Sequence, residues 1–183
     1  MSDAKTLSRS PELMSAADTA LVVVDVQEKL MPVIANREEL ERNLERLIRG
    51  AKILGVPIVL TEQYVRGLGH TIAPLREALG DAYKPVEKAC FSGYRPLDRK
   101  QVIVAGIETH VCVYQTVSDL LANGYEVTIV ADAVSSRTQQ NKEIALGRMT
   151  ADGAKLSSTE MALFELTAQS GTDEFRAISK LVK

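Results

Sequence analysis

The chemistry open to this chain centres on one cysteine. Gly106-Ile107-Glu108-Thr109-His110-Val111-Cys112 follow the apolar run Val102 to Ala105 and precede Val113, Val117, Leu120 and Leu121 at helical spacing. This pattern predicts a strand-to-helix turn with Cys112 in or near the first helical turn. Backbone N–H groups there lack intrahelical partners and the helix dipole is positive, and both favour thiolate. An activated thiol beside a cradle of amide donors is what acyl transfer requires.

A thiol nucleophile also needs a group to take its proton. A carboxylate can do so if burial raises its pKa, and a neighbouring ammonium can stabilise thiolate or orient the carboxylate. Asp25 ends the run Ala20 to Val24, and Lys88 ends the run Pro85 to Glu87. Glu62, Gln63 and Asp132 end other apolar runs. On spacing alone the trio Asp25, Lys88 and Cys112 also has ordinary readings. A strand-end aspartate caps a loop, a lysine is a solvated charge, and a cysteine packs as a small hydrophobe. Packing and catalysis both stay open at this level.

The elements that must position these residues alternate along the whole chain. Ala20 to Val24 is apolar without alternation, which predicts a strand buried on both faces of a parallel sheet. Leu40, Leu44, Leu47, Ile48 and Ala51 mark a helix closed by Gly55 and Pro57. Further strands are predicted at Pro57 to Leu60, Pro85 to Lys88, Gln101 to Ala105, Glu126 to Val130 and Lys155 to Ser157. Helices are predicted after Cys112 and over about 74–79, 138–150, 159–167 and 173–181. No linker or repeat interrupts the pattern. It predicts one three-layer α/β/α domain over residues 19–183, with a mostly parallel sheet of about six strands behind a polar N-terminal arm, residues 1–18. In such sheets ligands bind at the carboxyl ends of the strands.

Composition narrows the partners. Lys and Arg number 22 against 24 Asp and Glu, with no basic block and no Trp, so no nucleic-acid partner is expected. No basic amphipathic stretch or bilayer-length apolar run points to a membrane, and the first residues have no signal-peptide core. Two cysteines, Cys90 and Cys112, without a CxxC pair read as reduced thiols of a cytoplasmic protein. Small molecules, or copies of the chain itself, are the expected partners.

Asp25-Val26-Gln27, Lys88-Ala89-Cys90-Phe91-Ser92 and Gly106 to Cys112 resemble the three signature blocks of the isochorismatase-like cysteine hydrolases, D-x-Q, K-x-x-F-S and G-x-x-T-x-x-C. The resemblance runs from about Thr19 to about Leu166. Thr61-Glu62-Gln63-Tyr64 with Gly67-Leu68-Gly69 resembles the short members without an assigned substrate. The resemblance implies a triad in which Cys112 attacks an electrophilic carbon, Asp25 is general base and Lys88 holds the pair charged. It also implies a cis peptide between Ile107 and Glu108 that aims the amides of Glu108 and Cys112 at an oxyanion, and a homo-oligomer, dimer or higher. Pocket selectivity would fall to Gln27, Gln63, Tyr64, His70, Phe91 and His110. Nicotinamidase-type relatives hold a metal through an Asp-x-His pair, which this chain with its two histidines lacks. No metal and no cofactor are expected.

Three functions follow. The leading one is a hydrolase acting on a small amide or related C–N bond through a covalent thiol intermediate. The second is a redox thiol protein using Cys112 with Cys90 as resolving thiol. The third is a scaffold that keeps the fold without turnover. Within the first, His110 is a rival base to Asp25.

Overall fold

The run at the start of the domain becomes one of the two central strands of the sheet. In the computed structural model, which describes residues 9–183, strand β1 (Thr19–Val24) is buried at every position. Leu21 and Val23 enter one core cluster, Val22 and Val24 the other. That two-sided burial is why the sequence shows no alternation. Complete burial of a side chain of this size contributes about 1.5–3 kcal/mol.

Five more strands complete the sheet: β2 (Ile58–Gln63), β3 (Val86–Lys88), β4 (Gln101–Ile107), β5 (Glu126–Ser135) and β6 (Lys155–Ser157). All pairs are parallel and the order is β3-β2-β1-β4-β5-β6. Helices α1 (Arg37–Ile53), α3 (Ala73–Leu79), α6 (Thr159–Thr167) and α7 (Asp173–Val182) cover one face. Helices α4 (Tyr114–Ala122) and α5 (Gln139–Ala151) cover the other. A short helix, α2 (Val65–Leu68), lies in the loop after β2. The strand order reverses between β1 and β4, and a crevice at such a switch point is where an open α/β sheet binds ligands.

Several elements differ from the sequence reading. β2 and β4 run on to Gln63 and Ile107, past the expected ends at Leu60 and Ala105, and α2 stands in the expected loop from Tyr64 to Thr71. Strand β5 runs on to Ser135, and its register against β4 shifts between Val104 and Gly106. The bulge lets the strand continue past the expected stop. Asp132 therefore sits inside β5, where its Oδ1 accepts from the backbone N–H and hydroxyl of Thr159 at the start of α6. Part of the N-terminal arm is tied down. Met14 is buried and its N–H donates to Glu165, while the N–H of Ser15 donates to Gln101. Residues 1–8 of that arm lie outside the described residues. No helix among the described residues is long and apolar enough to cross a membrane.

Candidate active site

The three signature blocks meet at the β1/β4 switch point. Asp25 follows β1, and its backbone takes φ 49°, a region that non-glycine residues rarely occupy. Its carboxylate is fully buried and paired with Lys88, whose side chain is 7% exposed, at 2.6 Å. The hydroxyl of Thr61 donates to the other carboxylate oxygen at 2.7 Å. Removing one member of so buried a pair leaves an uncompensated charge, at a cost of about 3–5 kcal/mol.

The spacing of the Lys88 block has a local cause. After β3 the chain curls around the lysine's own ammonium, so that Nζ donates to the carbonyls of Cys90 (3.1 Å) and Phe91 (2.9 Å). The amide of Gln63 is a fourth acceptor, at 3.0 Å. Two residues further on, the N–H of Gly93 donates to the Thr116 hydroxyl, which itself donates to the carbonyl of Cys112. Thr116 thus ties the lysine block to the cysteine turn. A cleft of about 540 Å³, lined by Thr61, Lys88, Cys90 and Ser92 among others, opens beside the pair.

Gly106 explains how the cysteine turn comes so close to Asp25. It adopts φ 115°, and a Cβ at this position would lie 2.2 Å from the carbonyl oxygen of Val24. Only glycine permits that approach. The next peptide bond, Ile107–Glu108, is cis, at the position the family resemblance implies. Thr109 to Val113 then form a single π-helical turn ahead of α4. Among the described residues, no backbone or side-chain acceptor meets the Glu108 N–H.

Cys112 is buried among Val24, Val104 and Val113. Its thiol donates to Gln63 Oε1 at 3.2 Å, and the Asp25 carboxylate is near enough to act on it electrostatically. The thiolate expected from the helix start is not the resting state. Burial pushes the thiol up to about 12, the Asp25 carboxylate adds to the rise, and the Lys88 ammonium only partly opposes it. Desolvation here outweighs the amides and dipole on which the expectation rested.

The other singled-out residues divide. Gln27 is buried and clamps its neighbours: Nε2 donates to the carbonyls of Gln63 and Gly69, and Oε1 accepts from the Gln63 N–H. Gln63 reaches both Lys88 and Cys112. Tyr64 and Phe91 are exposed beside these groups in the chain. His110 pairs with the Ser136 hydroxyl at 3.0 Å and His70 with Glu62 at 3.2 Å. Cys90 is an exposed free thiol bonded to the carbonyl of Ser92. Among the described residues, no group of three or more His, Cys, Asp or Glu side chains is placed to hold a metal.

Sequence reasoning passed over Thr61 and Thr116. Thr61 was readable, because strand residues two apart share a face and it sits two before Gln63. Thr116, four residues after Cys112 on the same helical side, gave no signal that distinguishes it from an ordinary helix threonine.

Comparison with known proteins adds to this geometry. Residues 19–161 match the model of the isochorismatase domain. A protein of Phytophthora sojae named "Secreted isochorismatase effector Isc1" is 40% identical over 177 residues, covering 90% of this chain and 84% of that one. The structure of a MAR1 ribonuclease from Caenorhabditis elegans superposes with a TM-score of 0.90 at 38% identity, covering 93% of this chain and 92% of that one. YcaC from Pseudomonas aeruginosa, in a structure with hexane-2,5-diol and covalent acrylamide, does so at 0.85 and 26% identity, covering 95% and 93%. Fold, domain match and full-length similarity agree, and the chain belongs to the isochorismatase family.

Proposed function

We propose that this protein hydrolyses a small amide or related C–N bond with Cys112 as nucleophile, Asp25 as general base and Lys88 as the cation that keeps Asp25 charged. Membership of the isochorismatase family supports a hydrolase-like function. The observation that carries the finer reading is the buried Lys88–Asp25 pair, joined to the Cys112 thiol by the Gln63 amide oxygen that accepts from both Lys88 and Cys112.

In this mechanism the thiol proton passes to Asp25 as the sulfur attacks the substrate carbonyl. The oxyanion is met by the amides of Glu108 and Cys112. Collapse breaks the C–N bond, and the proton on Asp25 leaves with the nitrogen. Asp25 then takes a proton from water, whose oxygen attacks the thioester. Collapse of that second intermediate expels the Cys112 thiolate, which recovers the proton from Asp25. A thiol held at about 12 has little thiolate at neutral pH, so proton transfer to an adjacent base is required rather than optional.

The relative holding covalent acrylamide supports a reactive nucleophile in a protein of this fold, since acrylamide captures nucleophiles at its alkene carbon. The relative named a ribonuclease raises RNA as a rival substrate. The balance of 22 basic and 24 acidic residues, and a site lysine already committed to Asp25, favour the small amide. A homo-oligomer belongs to the same reading. Ile144, Leu156 and Met161 are exposed apolar side chains available to an interface, and light scattering after size exclusion tests it. The hydrolase reading is tested by a panel of small amides: turnover is expected in the wild type and absent in Cys112→Ala, and undiminished turnover in that variant overturns it.

A further inference from the structure

We infer that Gln63 is a positioning residue that parks the Cys112 thiol in its protonated form and is released cheaply when the site reacts. The first support is the orientation of its amide. Lys88 Nζ can only donate, so the group facing it at 3.0 Å is Oε1 and not the amide nitrogen. That same oxygen faces Cys112 Sγ at 3.2 Å. A thiol can donate to it. A thiolate would meet a lone pair instead, and turning the amide over would set its N–H groups against the ammonium. Gln63 therefore stabilises the thiol and not the thiolate for as long as it stays in place.

The second support is a mismatch at Lys88. An ammonium has three protons, whereas Nζ has four acceptors: Asp25 Oδ2, Gln63 Oε1 and the carbonyls of Cys90 and Phe91. Asp25 and the two carbonyls alone satisfy it, so departure of Gln63 leaves no proton of Lys88 unpaired. The thiol has one proton, and the acceptor that meets it is this same Gln63 oxygen. Gln63 cannot take that proton, whereas the neighbouring Asp25 carboxylate can, so losing the amide contact frees the proton for the base.

The third support is the mounting. Gln27 fixes the Gln63 backbone through both its N–H and its carbonyl, and it also holds Gly69. The main chain is thus held independently of the side chain, whose amide oxygen meets Lys88 and Cys112. The charged groups facing Cys112 are Asp25 from the end of β1, Lys88 from the end of β3 and Glu108 from its own turn. His110 is turned to Ser136.

This device rests on the hydrolase reading, but its test uses no substrate, so failure of one leaves the other standing. The Cys112 titration is followed by ultraviolet thiolate absorbance, taken as the difference from the Cys112→Ala counterpart. Gln63→Ala is expected to lower the apparent pKa of the thiol by about one unit, giving about tenfold more thiolate at a given pH. Gln63→Glu keeps the shape and adds a negative charge, and is expected to raise it. An unmoved or raised titration in Gln63→Ala overturns the inference, as does a lowered one in Gln63→Glu. Should the alanine variant fail to fold, the sign of the Gln63→Glu shift decides.

Discussion

Asp25 and Glu62 are buried carboxylates at the ends of adjacent strands, and they are furnished very differently. Glu62 accepts from the N–H and hydroxyl of Thr71, the phenol of Tyr83 and the ring of His70. Burial pushes its carboxyl up, but those donors together outweigh it and hold it below the usual carboxylate range. Tyr83 is pushed up to about 12 by its own burial and by Glu62. Asp25 has one hydroxyl, one ammonium and a thiol beside it. A carboxylate saturated by fixed neutral donors is a structural anchor, here for the loop from Tyr64 to Thr71. One balanced against a single cation and facing a proton donor can accept a proton.

The sharpest break of this contrast is catalytic. Asp25→Asn is expected to lower kcat/KM for amide hydrolysis by about 10³-fold or more, and Glu62→Gln by less than about tenfold. Equal losses would erase the distinction. Stability should separate the two far less. Glu62→Gln, which turns an acceptor group toward donors only in part, is expected to cost about 2–4 kcal/mol, and Asp25→Asn, which leaves the buried Lys88 ammonium without its counter-charge, about 3–5 kcal/mol, both read from denaturant midpoints.

The pH dependence follows from the sign of the Glu62 shift. Its folded pKa is depressed, so its contribution is complete above the unfolded value of about 4.3 and is lost as pH falls through the folded one. The stability gap between wild type and Glu62→Gln should be wide at neutral pH and close below about pH 4 in acid melts. The smallest effect concerns the rival base. His110→Ala is expected to change turnover by less than about threefold, since its ring serves Ser136. A loss as deep as that of Asp25→Asn would move the base assignment to His110.

The fold was readable because the signal lay in apolar runs. Leu21, Val22 and Val23 face two cores, and a strand with no polar side has to be interior. The extension of β5 to Ser135 was not readable, because Ala131-Asp132 looks like a strand stop unless the bulge and the bond to Thr159 are known. At the candidate site, Asp25, Lys88 and Cys112 could be placed at strand ends. The state of the thiol could not, because burial from the second core cluster is a tertiary property that outweighs the local helix start. The double role of Gln63 was equally hidden. It depends on which atoms of three separate strand ends meet, and spacing along one chain does not encode that.

The most direct test of the account is to trap the intermediate. The wild-type protein turning over a small amide is quenched in acid, weighed intact and mapped by peptide. The account predicts a mass increase equal to the acyl group, released by hydroxylamine as a thioester is, located on Cys112 and absent from Cys112→Ala. Turnover with no acyl group on Cys112, or turnover that survives in Cys112→Ala, would contradict it.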